Sequence, residues 1–172
     1  MSKRFWPLER GHVITSGFGA RWGTTHWGTD FGWDGGSGNR PVYAAQAGTV
    51  KHAGVASGFG QWVVVDHPTE AGSGTTVYGH VLTEVRVGDV VAAGQRIARV
   101  NPVKGPGNGN VDPHLHFEVH RWVWAPPGPD RLDPLPWLQG ATYPGEAAPP
   151  AAGSLANVWQ LIIDQLLGPR RH

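Results

Sequence analysis

The chain has 172 residues, 40% of them hydrophobic, enough for one domain with a real core and a short appendage. Lys+Arg 14 against Asp+Glu 13 leave a net charge of +1, which gives no electrostatic case for nucleic acid or for anionic membranes as partners. With no cysteine, disulfides, thiolate metal sites and thiol nucleophiles are excluded, and any metal must be held by carboxylates and the nine His.

The opening residues, MSKRFWPLERGH, carry basic side chains with no apolar stretch behind them, so no secretory signal is expected there. No run of eighteen apolar residues follows, and no membrane insertion is expected. From Gly11 to about Val119 the sequence predicts a succession of short strands: 12–16, 41–45, 48–53, 61–67, 75–81, 96–100 and 114–120, rich in Val, Ile, Thr and aromatics. Gly- and Pro-rich connections at 32–40, 68–74 and 101–113 separate them and are long for hairpins. Strands at this spacing, without a convincing amphipathic helix between them, predict an all-β fold over residues 1–140. The expected architecture is an antiparallel β-sandwich or barrel-like domain with long loops around a groove.

Beyond Trp137 the composition changes. Residues 141–153 read as a Pro/Ala/Gly linker. In 154–172, Leu155, Val158, Trp159, Ile162, Ile163, Leu166 and Leu167 keep helical spacing, with Ser154 as cap and Gly168-Pro169 as stop, before a basic tail. The apolar stripe of this helix is expected to pack on the β domain or to pair with itself.

The segment 114–120, HLHFEVH, separates cleanly under the two-residue period of a strand. Leu115, Phe117 and Val119 take one face; His114, His116, Glu118 and His120 take the other. A core strand has no packing reason to bury two such imidazoles. Two other features join them: His26 and Asp30 in a turn-rich context, and His80 near the end of a strand. Singly, each has a bland explanation, since a half-buried His is most often a satisfied structural residue. Together, His26, Asp30, His80, His114 and His116 supply the parts of a catalytic zinc site. Two imidazoles and a carboxylate bind the ion with one position open, and further His handle protons and developing charge.

On these residues the chain resembles the lysostaphin/LytM-type zinc endopeptidases, which cut peptide cross-links in bacterial peptidoglycan. The resemblance runs from Ile14 to about Val119. It includes Ser16-Gly17-Phe18-Gly19-Ala20-Arg21, His26-Trp27-Gly28-Thr29-Asp30, the strands from Pro41 to Val50, Val87 to Ile97, and Pro113-His114-Leu115-His116-Phe117-Glu118-Val119. Val81 stands where the family usually has Leu, and Val111-Asp112 stand where it has Ser/Thr-Gly. The resemblance implies one Zn2+ ion on His26, Asp30 and His116. It makes His114 the general base and His80 its partner in orienting water and stabilising the tetrahedral intermediate. It also implies a groove walled by loops, here 32–40, 68–74 and 101–113, that accepts a peptidoglycan peptide.

His120 is expected as a bystander, and Glu118 either orients a ligand His or is solvated. Trp22, Trp27 and Trp33 either line the groove or pack at its rim. One rival function is a catalytically silent relative that binds or activates. Another is a biotinyl or lipoyl carrier, suggested by residues 85–100, but Lys3, Lys51 and Lys104 lack the setting of a carrier lysine. With no signal recognised, the expected route is a phage endolysin made in the host cytoplasm and released to the wall through a holin pore; a phage tail lysin is the alternative.

Overall fold

Val, Ile, Thr and aromatic residues alternating with polar ones make the regular structure of residues 3–146, those described by the computed structural model, almost entirely β. In chain order the strands are β1 (Val13–Ser16), β2 (Gly19–Arg21), β3 (Thr24–His26), β4 (Thr29–Gly32), β5 (Pro41–Tyr43), β6 (Gly48–Ala56) and β7 (Gly60–Asp66). They continue with β8 (Thr75–Gly79), β9 (Val81–Thr83), β10 (Val90–Val91), β11 (Arg96–Val100), β12 (Leu115–His120) and β13 (Arg131–Leu132). A single α-helical turn, α1 (Pro134–Trp137), starts at Asp133, whose side chain accepts a hydrogen bond from the Leu135 N–H.

The main sheet runs β1-β4-β12-β8-β7-β6-β10, with β13 pairing the far end of β12; β5-β11-β9 form a second sheet and β2-β3 a hairpin. All strand pairs are antiparallel, as expected. One face of the main sheet carries Phe117, Tyr78 and Val63 in register across β12, β8 and β7. They share one buried cluster with Val42, Ile97, Ala98 and Val100 of the second sheet, so the core lies between the sheets. Leu115, Phe117 and Val119 belong to it, as their alternation predicts. The linker beyond 146 and the helix predicted within 154–172 lie outside the described residues.

Two local differences from the sequence reading matter for the site. Residues 75–81 are not one strand: His80 takes φ 61°, a left-handed value, and turns the chain from the main sheet into the second one. Within their turn-rich stretch, His26 and Asp30 lie on β3 and β4, strands too short for alternation to reveal. Among the described residues no helix is long and apolar enough to cross a membrane.

Candidate metal centre and active site

The polar face of the main sheet begins at His116. Register places it between Asp30 on β4 and Gly79 on β8, so its ring and the Asp30 carboxylate stand side by side. Gly28, inside the His26–Asp30 loop, lies so close that an added Cβ would sit 2.7 Å from the His116 ring and 2.6 Å from the Phe117 carbonyl. Only glycine lets these two segments meet. Gly79 plays the same part for Phe59, whose ring occupies the space a Cβ would need, at 2.5 Å. Phe59 then covers His116 and His80, at ring distances of 5.2 and 5.6 Å.

His26 Nε2, Asp30 Oδ1 and His116 Nδ1 converge at mutual distances of 3.1, 3.2 and 2.8 Å, and all three residues are buried. The protons of both rings are engaged outward. His26 Nδ1–H donates to the Gly17 carbonyl at 2.8 Å, and His116 Nε2–H donates to Glu118 Oε1 at 3.1 Å. With both rings neutral, the atoms that face one another are therefore three acceptors: two imidazole lone pairs and a carboxylate oxygen. Acceptors brought this close in a buried site repel unless a cation lies between them or, without one, a proton on His116 Nδ1 is given to Asp30. A tetrahedral zinc ion with bonds of about 2.0–2.2 Å needs ligand atoms roughly 3.3–3.5 Å apart, so this triangle fits it with a small expansion. The donor set, two nitrogens and one oxygen, is one that zinc takes in catalytic sites.

The other Asp30 oxygen faces Arg21 at 3.5 Å, and Arg21 also donates to Ser16 Oγ. Burial opposes ionisation of Asp30, but bonding to His116 and the charges of the surrounding His hold its pKa below the ordinary range. Burial likewise keeps His26 low. His116 is raised in spite of burial, because Asp30 and Glu118 both favour its charged form.

His114 Nδ1–H donates to the Asp112 carbonyl at 2.7 Å, which leaves Nε2 free, 3.6 Å from Asp30 Oδ1. His80 lies beside it, with ring centroids 4.6 Å apart. Burial, then the neighbouring His114 and His116, push His80 down to about 4. His80 is therefore neutral above about pH 4. Its Nδ1 is buried without a hydrogen-bond partner, and so are both amide atoms of Asn108 nearby, which approach the ring without a bond of good geometry.

Behind His116 lies an arrangement the sequence did not disclose. Glu118 is 2% exposed and accepts from three donors: His116, Arg131 at 2.7 Å and His120 at 2.8 Å. His120, expected as a bystander, is buried. Its Nδ1 accepts from the Ala125 N–H, so its Nε2–H is the one given to Glu118. The donors outweigh the cost of burying the carboxyl and hold Glu118 down at about 2. An unfolded Glu has a pKa of about 4.3, so this bonding stabilises the fold fully above that value. It is lost as pH falls through about 2. The thermal midpoint of metal-free protein should therefore drop steeply between those limits, and Glu118→Gln should flatten that part of the profile. An unchanged profile in the variant would show that Glu118 is not the titrating group.

The site opens into a groove of about 670 Å³ lined by Arg21, Trp22, Phe59, Asn110, Val111 and Asp112 around the histidines. Its walls are thus the β2–β3 turn, the β6–β7 turn and loop 101–113. Loops 32–40 and 68–74, expected as walls, contribute no lining residue. The 32–40 loop packs Gly38 against Pro102, and 68–74 joins the opposite ends of β7 and β8. Of the three tryptophans, Trp22 lines the groove and is 91% exposed, Trp27 packs edge-on against Phe18, and Trp33 lies by His12 and Arg40.

The profile of peptidase family M23 matches residues 24–133. Among solved structures, the chain is similar to lysostaphin in solution, with a TM-score of 0.65 and 25% identity over 89% of this chain. It spans 61% of that lysostaphin chain. The catalytic domain of the antimicrobial peptidase lysostaphin from Staphylococcus simulans gives a TM-score of 0.61 and 28% identity, covering 74% of this chain and 92% of the domain. A zinc-containing peptidase from Vibrio cholerae gives 0.53 and 30% identity, over 69% of this chain and 37% of that one. No curated protein matches by sequence.

Proposed function

Because the chain belongs to peptidase family M23, we propose that it is a zinc-dependent endopeptidase that hydrolyses peptide cross-links or stem peptides of bacterial peptidoglycan. The observation that carries the reading is the convergence of three acceptor atoms, His26 Nε2, Asp30 Oδ1 and His116 Nδ1, at the floor of an open groove. These residues would hold the zinc. When bound, the ion supplies Lewis acidity, polarising a peptide carbonyl and making water more acidic.

The protein's own groups do the rest. His114, its tautomer set by the Asp112 carbonyl, presents Nε2 to take the proton of the attacking water and to return it to the leaving amine. His80, neutral at working pH, donates a hydrogen bond to the oxygen on which charge develops. Arg21 and Glu118 hold Asp30 and His116 from behind, so neither ligand must be ordered when substrate arrives. Phe59, from the β6–β7 turn, packs against the His116 and His80 rings.

Purified peptidoglycan should release new amino termini when treated with the protein, stop doing so with a chelator, and resume on zinc addition. A folded protein that binds no zinc and releases nothing would be a silent relative. Mass spectrometry of the fragments from glycine-bridged and diaminopimelate-type walls identifies the bond cut. The finer proposal, a phage lysin that reaches the wall through a holin pore, is tested by co-expressing the chain with and without a holin and timing lysis. Lysis independent of the holin would sink it.

A further inference from the structure

The polar face of the main sheet does not end at the metal centre. Trp62 lies one strand beyond Gly79 in the His116 row, and Val64 and Asp66 follow it on the same face of β7. Asp66 pairs with Thr75, which pairs with His120. From the Gly79 level to the Thr75 level is four residues, about 13 Å along the strand. There a cleft of about 440 Å³ is lined by Lys51, His52, Val64, Asp66, Thr75 and the Val123-Trp124 pair. The segment Trp122-Val123-Trp124 is 60%, 68% and 40% exposed, an apolar display that a protein surface rarely leaves without a use.

This wall is held in place. Thr75 Oγ1 donates to the Trp122 carbonyl at 2.8 Å, Arg131 donates to the Ala125 carbonyl at 3.1 Å, and the Ala125 N–H donates to His120. Trp124 meets Trp62 edge to face at 5.7 Å, and Trp62 stacks on Phe59, which covers His116. An unbroken aromatic line therefore joins the cleft to the metal centre.

We propose that this cleft is a saccharide subsite, which takes an N-acetylated amino-sugar ring of the glycan strand that bears the scissile peptide. The inference rests on the peptidoglycan reading above. Its support is threefold: a part-exposed indole in the lining, a rim of donors and acceptors of both signs, and reach. Lys51, Asp66, His52 and Thr75 suit a neutral ligand with many hydroxyls better than an apolar or charged one. The cleft also lies two strands across from β12, about 10 Å at the spacing of neighbouring strands, so the separation is about 16 Å, and roughly five residues of extended peptide at about 3.3 Å each cover it. A stem peptide attached to its sugar has that reach.

The test compares hydrolysis of one stem peptide, free and carrying its disaccharide. Wild-type protein should prefer the disaccharide-bearing form in kcat/KM by about tenfold, the scale of one good aromatic contact. Trp124→Ala should bring the ratio to near one, with thermal unfolding checking that the variant is folded. Absence of a preference in the wild type, or its survival in the variant, overturns the proposal. An equal loss on both substrates would assign the cleft to a peptide side chain instead. A second arm needs no catalysis: a β-1,4-linked N-acetylglucosamine oligomer should quench tryptophan fluorescence of the wild type and not of Trp124→Ala. If neither peptide is cut, the peptidase reading fails while this arm still decides the subsite; no quenching here would overturn the subsite.

Discussion

His114→Ala should lower turnover by roughly two to four orders of magnitude, the usual worth of a positioned general base, while bound zinc stays near the wild-type level. The geometry separates the two roles. His114 Nε2 is 3.6 Å from Asp30 Oδ1, outside the 2.8–3.2 Å triangle of His26, Asp30 and His116, and the His114 ring is part-exposed where His26 and His116 are buried. Removing the ring should leave the ligand triangle and its support by Gly17, Arg21 and Glu118 intact. Native mass spectrometry for zinc and hydrolysis of a purified stem peptide are the two measurements. Loss of zinc with loss of activity would make His114 a ligand and move the base elsewhere, His80 being next in line.

Asp30→Ala should behave differently: zinc and activity should disappear together. The carboxylate contributes the one negative charge of the three-ligand set, and two neutral imidazoles alone bind zinc far more weakly. The substitution also takes from Arg21 the carboxylate it faces. Zinc added to wild-type protein should raise its thermal midpoint in a concentration-dependent way, because the ion binds the folded state. The same titration of Asp30→Ala should leave the midpoint flat over that range. A variant that keeps stoichiometric zinc and measurable hydrolysis would remove Asp30 from the ligand set.

Much of this site was readable along the chain, and the reason differs residue by residue. His114 and His116 stood out because a strand imposes its two-residue period locally, so alternation with Leu115 and Phe117 reports which side chains share a face. Asp30 and His26 were found as a spaced pair, yet their strands went unseen. β3 and β4 have 3 and 4 residues, too few for a period to show. Glu118 remained ambiguous because its role depends on Arg131, 13 residues away across a Pro-rich loop, and on a ring orientation of His120 set by the Ala125 N–H. Phe59 gave no signal, since its contact with His116 depends on the missing side chain of Gly79, visible only once β8 lies beside β12. Loop 101–113 walls the groove as expected, but the walls expected at 32–40 and 68–74 are instead the β2–β3 and β6–β7 turns, for a similar reason. Loop length says that a segment can carry a site, whereas sheet order says which end of the strands it reaches.

By itself, the sequence determined the all-β class, the alternation that splits 114–120 into a core face and a polar face, and the set of candidates for the chemistry. These follow from local stereochemistry and from the scarcity of paired imidazoles in ordinary cores. Only the tertiary structure decided which nitrogen of each His faces the centre and which carboxylate stands behind His116. It also decided that burial keeps His80 neutral down to about pH 4 and that the aromatic wall at 122–124 shares the metal centre's face. Those properties arise from contacts between segments up to 90 residues apart, such as His26 with His116, where neighbours in space, not in sequence, set each group's proton and partner.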